Sequence, residues 1–266
     1  MKPLGAVGHL ARRSKTLRTA RGLARRVIDR SHGYGVINRG GGGVVGLIDV
    51  GSVGALPRPW HQRSDLVSHV LKFEPRDPKG ETPRVVTIDA ALWSEPTTLP
   101  FYIYTGLAGQ GSSLFRQNVD YVRENFDTLR VHGPSYLSDT WFERAKLDRI
   151  EEIDCTTLDA VLADRPETYH VLKIDAQGAE KPILLGATDY LSGGDCLALH
   201  LELFKIPLYE GIALRPEVEA LVDDMGFSLI REYPPHGSFN SQNDCVFLRR
   251  GVQGPAVDAI RQAYGV

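Results

Sequence analysis

Two short runs in this 266-residue chain concentrate side chains able to move protons or hold a cation. The first is Lys173-Ile174-Asp175-Ala176-Gln177-Gly178-Ala179-Glu180. The second is His200-Leu201-Glu202, followed by Pro207-Leu208-Tyr209-Glu210-Gly211. Each run begins in apolar sequence of the kind that forms a strand. Alternation then sends Lys173 and Asp175 to one side of theirs, and His200 and Glu202 to one side of the other. Four ionisable groups on buried strands need either partners or a function, because uncompensated burial of charge is costly. The functional reading is proton abstraction by Asp175, with Glu202 second, His200 relaying and Lys173 orienting Asp175. A hard cation such as Mg²⁺, held by Asp175 and Glu202, is a second possibility. The bland alternative is a Lys173–Asp175 ion pair with a satisfied histidine at the rim.

A third constellation lies upstream. The apolar run 44–48 ends in Asp49-Val50-Gly51-Ser52-Val53-Gly54. A glycine turn after the first strand of an open α/β sheet is where a nucleotide-like cofactor approaches the backbone, here at Gly51, Ser52 and Gly54. Twenty residues beyond Gly54 comes Glu74, at the end of the next apolar run and suited to accept hydrogen bonds from two ribose hydroxyls. Asp89, at the end of a third run, is a candidate for an adenine amino group. Asp49 discriminates between cofactors. It would repel a pyrophosphate but attract the sulfonium and α-ammonium of S-adenosylmethionine. The third glycine of the dinucleotide fingerprint is absent, with Pro57 in its place. S-adenosylmethionine is therefore favoured over NAD.

These residues require strands to carry them. Candidate strands are 44–50, Val67–Phe73, Arg84–Leu92, His170–Ile174, Cys196–Leu203, Phe227–Ile230 and Cys245–Leu248. Helical patterns at Leu158–Ala163, Lys181–Leu191 and Pro216–Met225 separate several of them. The alternation predicts one doubly wound α/β domain over 44–266 with a mostly parallel, seven-stranded sheet. The roughly 75 residues between the third and fourth strands exceed an ordinary crossover. This insertion, about 93–150, is rich in aromatics and is read as a substrate lid or a structural flap. Phe101, Tyr102, Tyr104 and Trp141 are its candidate stacking surfaces.

Composition excludes other classes. The 42% hydrophobic fraction suits a globular core, and no apolar run approaches the ~18 residues of a membrane-spanning helix. Cys155, Cys196 and Cys245 lie far apart in apolar surroundings, which predicts reduced, buried thiols in a cytoplasmic protein and no disulfide frame. The net charge of −2 hides an asymmetry: residues 1–30 hold nine Lys and Arg against one acid, while the rest carries 22 basic and 32 acidic side chains. Residues 1–43 thus read as a basic arm, amphipathic over 9–30, ending in the glycine run Gly40–Gly43. It could pack on the acidic body, touch a membrane surface or serve as a transit peptide; a nucleic-acid partner is not expected.

Taken together, IDVGSVG at 48–54, FEP at 73–75, TLDAVL at 157–162, LKIDAQGAEKPILLGA at 172–187, LHLELFKIPLYEG at 199–211, GF at 226–227 and NDCVFLR at 243–249 occur in a recognisable order. In these stretches the chain resembles the FkbM family of S-adenosylmethionine-dependent methyltransferases. The resemblance covers about 45–250 and leaves the basic arm outside. It implies a class I, Rossmann-like fold and methylation of a hydroxyl, often on a sugar, glycan or secondary metabolite. The family commonly carries Asp-x-Glu-Gly where this chain has Asp175-Ala176-Gln177-Gly178. Gln177 would serve poorly as a metal ligand or base, which leaves metal dependence open. Two other readings stand beside an active methyltransferase: a cofactor-binding protein of the same fold without turnover, and a nicotinamide oxidoreductase.

Overall fold

A computed structural model describes Ile37 and residues 42–51, 54, 56–76, 79–106 and 111–266. The basic arm lies outside these residues except for Ile37, Gly42 and Gly43, and Ile37 is fully buried in the core cluster that holds Trp60 and Val45. Ile37 thus packs as part of the body.

Eleven strands are present among the described residues: β1 Val45–Val50, β2 Val67–Phe73, β3 Gly80–Glu81, β4 Val85–Ile88, β5 Ala91–Leu92, β6 Thr97–Tyr104, β7 Leu147–Thr156, β8 Val171–Ile174, β9 Ala198–Phe204, β10 Phe227–Glu232 and β11 Gln242–Arg249. The main sheet runs β10-β11-β9-β8-β1-β2-β4-β3. Six of the seven expected strands are in it whole or nearly so, while the third, Arg84–Leu92, divides into β4, which is in this sheet, and β5, which joins the smaller one. The eighth, β3, is a two-residue edge strand antiparallel to β4. Five strands, β4-β2-β1-β8-β9, pair in parallel, whereas β11 runs antiparallel to both β9 and β10.

Apolar alternation explains why this sheet is covered on both faces. In β1, Val45 and Leu47 enter one core with Trp60, Val257 and Ile260, while Ile48 and Val50 enter the other with Leu172, Leu199 and Ile183. Burying each such side chain contributes roughly 1.5–3 kcal/mol. The helix Pro255–Tyr264 closes the first face; Leu158–Leu162, Glu180–Leu185, Thr188–Ser192 and Arg215–Asp224 contribute to the second. The pattern expected as one helix over Lys181–Leu191 is broken at Gly186, where a Cβ would stand 2.0 Å from the Trp93 carbonyl oxygen.

The insertion has a sheet of its own. β7 pairs in parallel with β5 and antiparallel with β6, so its return strand extends beyond residue 150 to Thr156. Helices Val119–Leu129, Ser135–Asp139 and Trp141–Arg144 follow β6 and pack on a separate core of Trp141, Phe204, Tyr209 and Phe239. Much of its aromatic content thus serves packing. Tyr104 is buried and its hydroxyl accepts from the Gln117 amide at 2.7 Å, so it is not a stacking surface. Phe101 and Trp141 do reach the cavity described next.

Candidate active site

A cavity of about 950 Å³ opens at the carboxyl ends of β1, β2, β8 and β9, beneath the insertion. Alternation and register build its floor. Asp49, Lys173, His200, Glu202 and Asp244 share the sheet face of Leu47, Val171, Ala198 and Val246. Register sets Asp49 beside Lys173, Lys173 beside His200, and Glu202 opposite Asp244. All five line the cavity, as do Asp175 and Gln177 just past the end of β8.

Lys173 lies between two carboxylates, 3.2 Å from Asp175 Oδ2 and 3.6 Å from Asp49 Oδ1. Burial opposes its charge, but Asp175, Asp49 and Glu202 outweigh that and hold the ammonium protonated above the ordinary lysine range. Burial likewise opposes the charge on Asp175. Lys173 and hydrogen bonds with Glu202 and Gln177 reverse the balance and hold this carboxyl below its usual range. Glu202 goes the other way: burial first, then the Asp175 charge, push it well above the normal range. Two neighbouring acids are thus shifted in opposite directions.

Gln177 links them. Its amide Nε2 donates to Asp175 Oδ1 at 2.9 Å and to Glu202 Oε2 at 2.8 Å, while its Oε1 accepts from the Tyr209 hydroxyl at 3.0 Å. Its backbone sits at φ +53. This geometry does not fit a hard cation between Asp175 and Glu202, because an amide NH₂ group already bridges the two and Lys173 stands on the other oxygen of Asp175. The Mg²⁺ pairing expected from the sequence is therefore not supported.

His200 is turned away from Asp175. Trp60 Nε1 donates to the Tyr264 hydroxyl at 3.1 Å, and that hydroxyl is 3.2 Å from His200 Nδ1. Nε2 points at Asp244 Oδ1, 3.5 Å away. A relay from Asp175 through His200 does not form.

At the other end of the cavity stand Asp49, Gly51 and Glu74. Asp49 is buried, and its Oδ1 accepts no hydrogen bond. Glu74 follows β2 and accepts from the Arg76 amide at 3.1 Å. Gly51 has a reason for being glycine beyond cofactor approach: its φ is +76, and a Cβ would fall 1.9 Å from the Asp175 carbonyl oxygen. Gly54, at φ +81, is not on the cavity wall, and Ser52 lies outside the described residues. Asp89 is exposed, and its neighbours Ala90 and Ala91 line the wall in its stead. The backbone turns after β4 before reaching the cavity, which points Asp89 to solvent.

Sequence reasoning overlooked Asp244, His236 and Gln242, and gave no role to Tyr209 of the second run. Burial opposes the charge on Asp244, but His200 and His236 hold it well below the usual carboxylate range. Gln242 Nε2 donates to Glu202 Oε1 at 2.5 Å. The available signal was the Asn243-Asp244 pair at the head of a predicted strand, whose importance depends on which strand it faces.

A sheet in which the third, second, first, fourth, fifth, seventh and sixth of the expected strands lie side by side, the seventh antiparallel, with a glycine turn after the first, is the class I, Rossmann-like methyltransferase fold. The methyltransferase FkbM domain matches residues 59–229, and the chain belongs to that family of S-adenosylmethionine-dependent methyltransferases. The methyltransferase sdnD of Sordaria araneosa is 26% identical over 160 residues, covering 56% of each protein, so the match spans about half that relative's length. The solved structure of magnesium protoporphyrin IX methyltransferase from Synechocystis PCC 6803, with bound SAM, is 13% identical. It covers 85% of this chain and 79% of that one at a TM-score of 0.36, a likeness too slight to add to the strand order. Among the described residues no helix is long and apolar enough to cross a membrane. The three cysteines are free and buried.

Proposed function

We propose that the chain transfers the methyl group of S-adenosylmethionine to a hydroxyl on a small molecule, a sugar, glycan or secondary metabolite. The observation that carries this reading is the ionised, partly exposed Asp175 between Lys173 and Gln177 on the cavity wall. The sulfonium supplies an activated methyl carbon. The protein's task is to place the acceptor oxygen behind it and receive the acceptor's proton. As the C–O bond forms and the C–S bond breaks, Asp175 takes that proton and S-adenosylhomocysteine departs. Lys173 and Gln177 fix the Asp175 carboxylate in place. Burial and the Asp175 charge push the Glu202 carboxyl up and favour its neutral form, so it supports Gln177 and Asp175 while Asp175 serves as the base.

Asp49 and Glu74 fit the cofactor. The buried Asp49 Oδ1, ion-paired with Lys173 at 3.6 Å but accepting no hydrogen bond, is an acceptor suited to the α-ammonium, and the Glu74 carboxylate suits the ribose hydroxyls. Phe101 and Trp141 provide apolar surface for the acceptor beneath the insertion. Calorimetry with S-adenosylhomocysteine, followed by a methyl-donor assay over sugar, glycan and polyketide-type alcohols, tests the proposal. Tight binding of the nucleoside product with transfer to a hydroxyl is expected. Transfer only to nitrogen or carbon acceptors would refute the choice of hydroxyl.

A further inference from the structure

We propose that Glu202, His236 and Asp244 form a binding site for one divalent transition-metal ion of the zinc or manganese class at the acceptor end of the cavity. One ligand atom from each of the three lies within 4.8 Å of the others. His236 Nε2 is 3.3 Å from Asp244 Oδ2 and 4.0 Å from Glu202 Oε1. Ligand atoms around such an ion are about 3.4 Å apart in a tetrahedral shell with bonds near 2.1 Å, so contraction by less than a bond length closes the set. An imidazole with two carboxylates suits zinc, manganese or iron and disfavours Mg²⁺, which prefers oxygen and water.

Two further observations point to a ligand here. His236 Nε2 is buried yet makes no hydrogen bond, although it faces two carboxylates. His200 is 95% buried in its side chain, and its Nε2 is likewise without a hydrogen bond while directed at Asp244. The surroundings resemble an outer shell already in place. Trp60, Tyr264 and His200 form a chain that ends on Asp244 Oδ1, and Gln177 and Gln242 each hold one oxygen of Glu202. Metal binding displaces any proton from Glu202, after which each of those oxygens keeps a second lone pair for a metal, and Asp244 Oδ2 faces His236. His236, Glu202 and Asp244 all border the cavity, so an ion there has open positions for water or an acceptor oxygen. Its use in turnover rests on the methyltransferase reading; its binding does not.

The test is calorimetric titration of chelator-stripped protein with Zn²⁺ and with Mn²⁺, with Co²⁺ added separately to record visible absorption. One equivalent per chain is expected. His236→Ala and Asp244→Asn should each lower affinity at least about ten-fold, and the Co²⁺ bands should weaken with them. The exposed His132→Ala, far from the cluster in sequence, should leave affinity unchanged. Circular dichroism and S-adenosylhomocysteine binding establish that each variant is folded. If either cluster variant fails to fold, His236→Gln takes its place, and retained full affinity there counts against the site. No saturable binding in the native chain, or binding insensitive to the cluster variants, overturns the proposal. S-adenosylhomocysteine binding without metal binding would sink the metal site alone; metal binding without it would sink the methyltransferase reading alone.

Discussion

Two glycines in one turn have the same left-handed backbone and different surroundings, and substituting each by alanine separates conformation from close approach. Gly51 and Gly54 have φ of +76 and +81. Alanine at either position pays for a left-handed residue, about 1–2 kcal/mol. At Gly54 nothing lies within 4 Å of the added Cβ, so that cost stands alone. At Gly51 the Cβ falls 1.9 Å from the Asp175 carbonyl oxygen and 2.8 Å from its carbon, whereas ordinary contact begins near 3.4 Å. Backbone must therefore move by about 1.5 Å between the ends of β1 and β8. The Asp175 amide donates to the Val50 carbonyl at 3.1 Å across that gap, so the shift also strains a strand-end hydrogen bond. Overpacking of about 1–3 kcal/mol plus about 1 kcal/mol for the bond, added to the conformational cost, brings Gly51→Ala to roughly 3–6 kcal/mol. In a domain of this size that is about a 10 °C fall in Tm, against about 3 °C for Gly54→Ala. Thermal melts measure both. Calorimetry with S-adenosylhomocysteine should show a much larger affinity loss in Gly51→Ala, because the displaced backbone carries Asp175 and borders Asp49. Equal Tm shifts in the two variants would refute the close-approach argument.

Three further outcomes test the site and its supports. Asp175→Asn should lower kcat by about 10²–10⁴ with S-adenosylhomocysteine affinity nearly intact; unchanged turnover on the true acceptor would remove Asp175 as the base. Glu74→Gln should weaken S-adenosylhomocysteine binding by about ten-fold, measured by calorimetry, and leave kcat at saturation close to native; equal affinity would exclude Glu74 from the cofactor. Glu180, buried behind the Asp175 loop, accepts from the Ala176 amide at 3.1 Å, and burial pushes its carboxyl up to about 8. The fold therefore binds a proton that the unfolded chain releases near its ordinary pKa of 4.5. This contribution is fully present below pH 4.5 and is lost as pH rises to 8, at about 1.4 kcal/mol per unit and no more than about 5 kcal/mol in all. Urea melts of the native chain should lose stability from pH 5 to 8.5, and those of Glu180→Gln should lose markedly less. Parallel profiles would show that Glu180 is ionised in the fold.

Residues on strands buried from both sides were legible because their pattern depends on burial alone. Val45–Val50 and Ala198–Phe204 are inaccessible along their whole length, and sequences of that kind leave no other place for their side chains. The insertion strands were not legible for the same physical reason inverted. Leu147–Thr156 is exposed at most positions and carries five charged residues, so neither a continuous apolar run nor an inward face marks it. Thr97–Tyr104 contains Pro100, which argues against a central strand and is tolerated here because this strand lies at the edge of its sheet. The site divides along the same line. Alternation within one strand correctly placed Lys173 with Asp175 and His200 with Glu202, since it needs no knowledge of neighbours. Which strand lies beside which, and in which direction, is a long-range outcome. Only because Gln242–Arg249 runs antiparallel to Ala198–Phe204 does Asp244 fall opposite Glu202, and Gln242 come within reach of its carboxylate. That pairing draws His200 toward Asp244 and away from Asp175. Gln177 shows the consequence most sharply. Judged in its own motif it looks like a glutamate stripped of its charge, yet placed between the carboxyl groups of Asp175 and Glu202 it supplies the two N–H donors that a glutamate could not. Its meaning belongs to the partners, and those partners are set by strand order.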